Sequence, residues 1–203
     1  MRWKHVQLGV TDNGSNPVDV LARAFTTDEA NQFFLNQMME LLTTYGEIFE
    51  VWMDIPGVVG RAFRQRLYWE IARLQPAAYI MMNNGFGDGT GYPVEYAWPA
   101  DLMAIERWLP NGTAPFNPWR EIEGKKVYLP GEVCDPIGRE WFFKEEDHPR
   151  CDRELLGMYL TCRARNTNLL LNVPPDRTGR LPDNYVQSLL RLRKNFGLLS
   201  FMG

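Results

Sequence analysis

The chain has 203 residues, of which 45% are hydrophobic and 23% charged, as is ordinary for one globular domain with a sizeable core. Its net charge of −3 without a basic block argues against a nucleic-acid partner, and no run approaches the roughly 18 apolar residues that would suggest a membrane partner. Three cysteines without metal-binding spacing argue against a disulfide framework and a zinc site, and two histidines leave little for a Ser-His-Asp mechanism.

Helical and strand patterns alternate along the chain. Apolar residues at three- and four-residue spacing predict a first helix that begins at Thr26 or Thr27 and ends at Gly46. Apolar runs predict strands at 48–54, 78–84, 94–98 and 169–173. Further helices are predicted at 61–76, 100–109, 152–166 and 182–197, with loops at 85–93 and 174–180. This alternation predicts an α/β fold with parallel strands, either a barrel or a doubly wound sheet.

Asp54 is the last residue of the first predicted strand and precedes the breakers Pro56 and Gly57. Functional side chains of parallel α/β folds gather where strands end, although a turn or helix-capping acid fits the same pattern. Glu95 and Glu132 also lie among aromatic residues, in YPVEYAW and PGEVCDPIGREWFF. Paired carboxylates in an aromatic setting are typical of glycoside hydrolysis, in which one attacks the anomeric carbon and the other protonates the leaving oxygen.

A set of ordered segments resembles glycoside hydrolase family 29, the α-L-fucosidases. The family pattern is a Q-x-x-E-L-x-T-x-Y-G helix, a strand ending V-W-x-D, an L-Q-P step, a P-E or A-E pair, and N-L-L-L-N-V-x-P-x-x-x-G-x-[IL]-P. In this chain the corresponding segments lie at 37–46, 51–54, 74–76, 93–95 and 168–182. Each segment alone is a weak signal, but their order along most of the chain is a strong one.

The resemblance implies a retaining double displacement on a fucosylated glycan substrate, without metal or cofactor. Asp54 matches the family nucleophile, and Glu95 matches the acid/base. Trp52, Glu132 and Trp141 match residues that line the sugar pocket and bind the substrate.

The resemblance also implies a partial (β/α) TIM-like barrel whose N-terminal strands are missing. Residues 1–203 would form the C-terminal portion of the catalytic barrel, because the His-Trp-Gly and His-His-Asp-Gly motifs that hold fucose hydroxyls in this family do not occur in the chain. The chain alone is therefore expected to be poorly active, since the sugar would lose hydrogen-bond partners.

Two departures from the family pattern leave a second hypothesis open. Ile55 replaces the glycine that usually follows the nucleophile, and no arginine follows the strand at 78–84. The alternative is a non-catalytic half-barrel that binds sugar or associates with another chain. An open barrel exposes strand edges, which favours self-association or pairing with the missing N-terminal half.

Overall fold

The computed structural model describes residues 27–54, 60–83, 98–110 and 116–196. These residues form two compact units. The first unit contains 27–54, 60–83, 98–104 and 119–129, and the second contains 105–110, 116–118 and 130–196. The predicted loop at 85–93 and the predicted strand at 94–98, apart from Trp98, lie outside the described residues.

The first unit packs two helices against a pair of parallel strands. The helices are α1 (Asp28–Thr44) and α2 (Arg61–Leu74), and the strands are β1 (Glu50–Met53) and β2 (Tyr79–Met82). The two strands run parallel, with Met53 opposite Met82. Val51 and Met53 are buried among residues of both helices, whereas Trp52, between them in β1, belongs to the opposite face. These four elements confirm the predictions made for this part of the chain.

The ends of α1 follow from local chemistry that the sequence shows. The Thr27 hydroxyl caps the helix by accepting a hydrogen bond from the Ala30 N–H at 3.2 Å. Asp28 and Glu29 lie in the first turn, where negative charge is favoured by the helix dipole. Gly46 has a φ of +84°, which a glycine adopts without steric cost as the chain leaves the helix.

Gln75, the central residue of the L-Q-P segment, connects the end of α1 to the residues before β1 by hydrogen bonds. Its Nε2 donates to the carbonyl oxygens of Leu42 at 2.6 Å and Gly46 at 3.0 Å. Its Oε1 accepts a hydrogen bond from the Ile48 N–H at 3.2 Å. One amide side chain thereby satisfies backbone groups on both sides of the connection, which explains why glutamine suits this position.

Replacing Gln75 with leucine should lower the free energy of unfolding by about 2 kcal/mol, because three backbone groups lose their side-chain partner. Urea denaturation measures this change. Gln32→Leu is the matched control, since Gln32 only donates to Asn36 on the exposed surface of α1 and its loss should cost under about 0.5 kcal/mol. Equal stability of the two variants would contradict this role for Gln75.

The prediction of a helix at 100–109 is wrong, because the segment forms strand β3 (Met103–Glu106). This strand belongs to a three-stranded sheet in the order β3-β6-β7, with β6 at Gly131–Pro136 and β7 at Thr167–Asn172. Ile105 of β3 is fully buried with Val133 and Cys162. The short apolar run is compatible with either structure, and pairing with a strand about 25 residues further along the chain decides between them.

A β-hairpin was not predicted from the sequence. Its strands, β4 (Trp119–Ile122) and β5 (Lys125–Tyr128), pair antiparallel. Glu123 and Gly124 connect them with φ angles of 53° and 72°, so both residues are in the left-handed region. Two such residues form the type I′ turn whose twist suits a two-residue hairpin, and the glycine is the sequence signal for it.

The second unit packs two helices against the parallel strands β6 and β7 and the end of β3 (105–106). The helices are α3 (Asp152–Ala164) and α4 (Asp183–Asn195), as predicted within a few residues. β6 and β7 run parallel, with Gly131 opposite Thr167 and Pro136 opposite Asn172. Ile137, Leu155 and Tyr185 belong to the buried core between these elements.

The fold of the described residues is therefore α/β, with parallel strand pairs flanked by helices. Closure of the strands into a TIM-like barrel stays a prediction. Among the helices of the described ranges, none combines the length and the apolarity that crossing a bilayer requires.

Candidate active site

Asp54 lies where the sequence predicts it, directly after the carboxyl end of β1, and its side chain is exposed. Asn83 lies directly after the carboxyl end of the parallel neighbour β2. The Asn83 Nδ2 donates a hydrogen bond to Asp54 Oδ1 at 2.8 Å, and the Asn83 backbone N–H donates to the Met53 carbonyl at 2.9 Å. Because Asn83 is only 7% exposed, this pair holds the Asp54 carboxylate in a defined orientation at the strand ends.

Sequence reasoning missed Asn83. The pattern places it inside the predicted strand at 78–84, although the polar residues that close the apolar run were a signal that the strand ends earlier. Trp52 precedes Asp54 by two residues, so the alternation of β1 places both on one face of the strand. Glu95 lies outside the described residues, and its role stays a prediction.

Glu132 lies near the amino end of β6 and is 1% exposed. Asn168 of β7 is its register partner, and the Asn168 Nδ2 donates to Glu132 Oε2 at 2.7 Å. A buried carboxylate needs such a donor, because burial without a hydrogen bond is costly for a charged group. The bond shows what Asn168 does within the N-L-L-L-N block, and sugar binding by Glu132 stays a prediction.

Trp141 lies in the loop that follows β6, and two strand ends converge on it. Asn172, the last residue of β7, donates from Nδ2 to the Trp141 carbonyl oxygen at 2.9 Å. Arg107, directly after β3, places its guanidinium carbon 5.5 Å from the centroid of the Trp141 ring. The tryptophan is therefore held at the carboxyl side of β7, where parallel α/β proteins place their sites.

Asp147 anchors the loop that carries Trp141. Its carboxylate accepts hydrogen bonds from the backbone N–H groups of Arg139 at 3.1 Å and Glu140 at 3.2 Å, and from the Tyr185 hydroxyl at 3.1 Å. The backbone makes a very close approach here, because a Cβ added to Gly138 would lie 2.3 Å from Asp147 Oδ2. Glycine is therefore required at position 138 for this carboxylate to reach its donors.

The pKa values of Asp147 and Tyr185 reflect these hydrogen bonds. Burial alone would raise the pKa of Asp147, but the hydrogen bonds from Arg139, Glu140, Tyr185 and the His148 backbone hold the pKa of its carboxyl below the ordinary value. Burial and the hydrogen bond to Asp147 raise the pKa of Tyr185 to about 12. The folded state therefore favours the ionised carboxylate next to the protonated phenol.

Asp147→Asn should lower the free energy of unfolding by about 2 kcal/mol at pH 7, because hydrogen bonds to a charged acceptor are lost. The lowered pKa of the folded state means that the stabilisation is present above the unfolded pKa of about 3.9 and is lost as pH falls through the folded value. The difference in the free energy of unfolding between parent and variant should thus become smaller in acid. Denaturation at several pH values measures it.

Glu145→Gln is the matched control, because Glu145 is an exposed acid of the same loop, and its replacement should change stability by less than about 0.5 kcal/mol. The role assigned to the ionised carboxylate would be contradicted if the free energies of unfolding of the parent and Asp147→Asn differed by the same amount at pH 7 and in acid.

In the first unit, the structure places the Asn83 amide on the nucleophile candidate Asp54. In the second unit, it places the Arg107 guanidinium on the Trp141 ring. An exposed carboxylate that accepts a hydrogen bond from an amide can still act as a nucleophile. Within the described part of the chain, no group of three His, Cys, Asp or Glu side chains is placed to hold a metal ion.

Comparison with known proteins agrees with the motifs. A family model described as alpha-L-fucosidase matches residues 10–195. Alpha-L-fucosidase 1 of Arabidopsis thaliana is 32% identical over 174 residues, which cover 80% of this chain and 34% of that protein. This chain thus spans about a third of the length of that relative.

Solved structures show the same likeness. Alpha-L-fucosidase isoenzyme 1 from Paenibacillus thiaminolyticus superposes with a TM-score of 0.64 at 24% identity, over 90% of this chain and 42% of that chain. Alpha-L-fucosidase AlfC from Lactobacillus casei, in complex with the α-L-fucose product, gives a TM-score of 0.55 at 25% identity, over 79% of this chain and 43% of that one. From the family match along most of its length and the ordered motifs, this chain belongs to glycoside hydrolase family 29, the α-L-fucosidases.

Proposed function

We propose that this chain carries the nucleophile of a retaining α-L-fucosidase, within the C-terminal portion of a TIM-like catalytic barrel, and that a fucosylated glycan is its substrate. The observation that carries the proposal is the exposed Asp54 carboxylate at the carboxyl end of parallel strand β1, oriented by the Asn83 amide at 2.8 Å. Catalytic groups of parallel barrels lie at this end of the strands. Family membership supports the same substrate class.

In the first step, an Asp54 oxygen attacks the anomeric carbon of fucose while the bond to the leaving oxygen breaks. Glu95 donates a proton to that oxygen, and a covalent fucosyl ester on Asp54 results. In the second step, Glu95 removes a proton from water, which attacks the same carbon and releases Asp54. Two inversions leave fucose with its original configuration.

The remaining predicted side chains contribute substrate binding. Trp52 and Trp141 offer aromatic faces to the apolar C–H groups of the sugar, and Glu132 accepts a hydrogen bond from a sugar hydroxyl. Asn83 limits the rotation of the Asp54 carboxylate, so that the attacking oxygen does not have to be oriented during the reaction. Each of these contributions is smaller than that of the nucleophile itself.

The test uses this chain and a form extended by any residues that its gene encodes upstream. Each is incubated with 4-nitrophenyl α-L-fucoside, and ¹H NMR identifies the first sugar released. A 2-deoxy-2-fluoro-fucoside with a good leaving group slows both steps and should accumulate the ester, which peptide mass spectrometry should locate on Asp54. We expect α-L-fucose first and label on Asp54.

Two results would overturn the proposal. β-L-Fucose as the first product would show an inverting reaction, in which no ester forms. Binding of L-fucose by both forms without any turnover would favour the non-catalytic half-barrel instead.

A further inference from the structure

Arg107 has a backbone conformation that few arginines adopt. It follows β3 directly and has a φ of 61°, in the left-handed region that disfavours residues with a Cβ. Its N–H donates to the Cys134 carbonyl of β6 at 2.9 Å, which holds this backbone against the sheet. Residues in such conformations persist where the surrounding structure determines them, and they concentrate at functional sites.

The Arg107 guanidinium reaches three groups of the second unit. Its Nη2 donates to the Arg139 carbonyl oxygen at 3.0 Å, and its Nε lies 3.9 Å from Asp135 Oδ1. The third group is the ring of Trp141, 5.5 Å from the guanidinium carbon. A cation at this distance from an indole face is attracted by the ring quadrupole.

Charge pairing with Asp135 does not by itself explain why position 107 is an arginine. Asp135 is 6% exposed and already pairs with Arg150, whose Nη2 lies 3.1 Å from the same Oδ1. The Arg150 side chain is 15% exposed, whereas that of Arg107 is 40% exposed and its contact with Asp135 is 0.8 Å longer (3.9 against 3.1). Besides its hydrogen bond to the Arg139 carbonyl, Arg107 differs from Arg150 by its contact with the Trp141 ring.

We propose that Arg107 is a positioning residue that fixes the Trp141 ring for contact with the sugar. The inference rests on the proposed function, in which Trp141 binds the substrate. Asn172 holds the Trp141 backbone at 2.9 Å and Arg107 holds its side chain, so backbone and ring are restrained by different strand ends. A restrained ring binds sugar with less loss of side-chain freedom than a mobile one.

The test labels the seven tryptophans with 5-fluorotryptophan and records ¹⁹F NMR spectra, in which Trp141→Phe identifies the Trp141 resonance. Arg107→Met keeps the length of the side chain and removes its charge. We expect the Trp141 resonance to shift and broaden in this variant and the Kd for L-fucose to rise about tenfold. Arg107→Lys, which keeps a cation, should recover part of both effects.

Lys126→Met is the matched control, because Lys126 lies 4.8 Å from the ring centroid of Trp119 on the exposed β4–β5 hairpin. It should move the Trp119 resonance and leave both Trp141 and fucose affinity unchanged. An unchanged Trp141 resonance in Arg107→Met would overturn the inference. An unchanged fucose affinity in Trp141→Phe would also overturn it. That outcome would not affect the proposed reaction, which is tested separately by the labelling of Asp54.

Discussion

Replacing Asp54 with asparagine should reduce kcat by at least about 10³-fold, or about 4 kcal/mol of activation free energy, in any form of the protein that hydrolyses an aryl α-L-fucoside. The amide keeps the shape of the side chain but cannot form the fucosyl ester. Folding should survive, because the Asp54 side chain is exposed beyond the end of β1 and is not part of the hydrophobic core. Steady-state kinetics and thermal denaturation measure the two effects.

Glu121→Gln is the control for the loss of one negative charge, because Glu121 is an exposed residue of β4, and its kcat should stay within about twofold of the parent. A smaller variant, Asp54→Gly, leaves room for azide at the site of the carboxylate. Azide should then attack the anomeric carbon directly and give β-fucosyl azide by a single inversion. Activity of Asp54→Asn within about tenfold of the parent, less than about 1.4 kcal/mol, would mean that another residue is the nucleophile.

Replacing Glu95 with alanine should lower the rate by an amount that depends on the leaving group of the substrate. Without the acid, kcat/KM for substrates with a poor leaving group should fall at least about 10²-fold. For substrates whose leaving group needs no proton, kcat/KM should fall much less. Hydrolysis of the fucosyl ester then becomes slow, because no base activates water. Added azide needs no base and should restore turnover, giving α-fucosyl azide with retained configuration.

The comparison for Glu95 is Glu132→Gln, and the structure determines this choice. Glu132 is buried and accepts a hydrogen bond from Asn168 at 2.7 Å, so alanine would create a cavity and remove the hydrogen-bond partner of the Asn168 amide. Glutamine keeps the volume and an acceptor oxygen. If azide rescue and leaving-group dependence occur in Glu132→Gln and not in Glu95→Ala, Glu132 is the acid/base.

The elements that sequence analysis predicted correctly are those whose signals are local. The Thr27 cap, the apolar spacing of α1 and the glycine at its end are contained within one segment, and they determine where that helix begins and ends. The apolar run that ends on Asp54 likewise determined a buried strand with an acid after it. These features need no knowledge of what the segment packs against.

Strand β6 shows why other elements could not be predicted. All six of its residues are buried although two are acids, so its sequence does not read as a continuous apolar run. Burial is possible because Asn168 donates to Glu132 and Arg150 pairs with Asp135, and both donors come from later parts of the chain. A pattern within the strand does not contain that information.

The sequence by itself determined the α/β class, the position of Asp54 at a strand end and the family motifs, because spacing, caps and breakers act over a few residues. Only the tertiary structure decided that 103–106 is a strand, that Asn83 orients Asp54, and that Arg107 and Asn172 meet at Trp141. Each of these depends on groups between about 29 and 34 residues apart along the chain, or on the pairing of distant strands. Such contacts form only when the strands have been aligned, since the parallel register brings the carboxyl ends together.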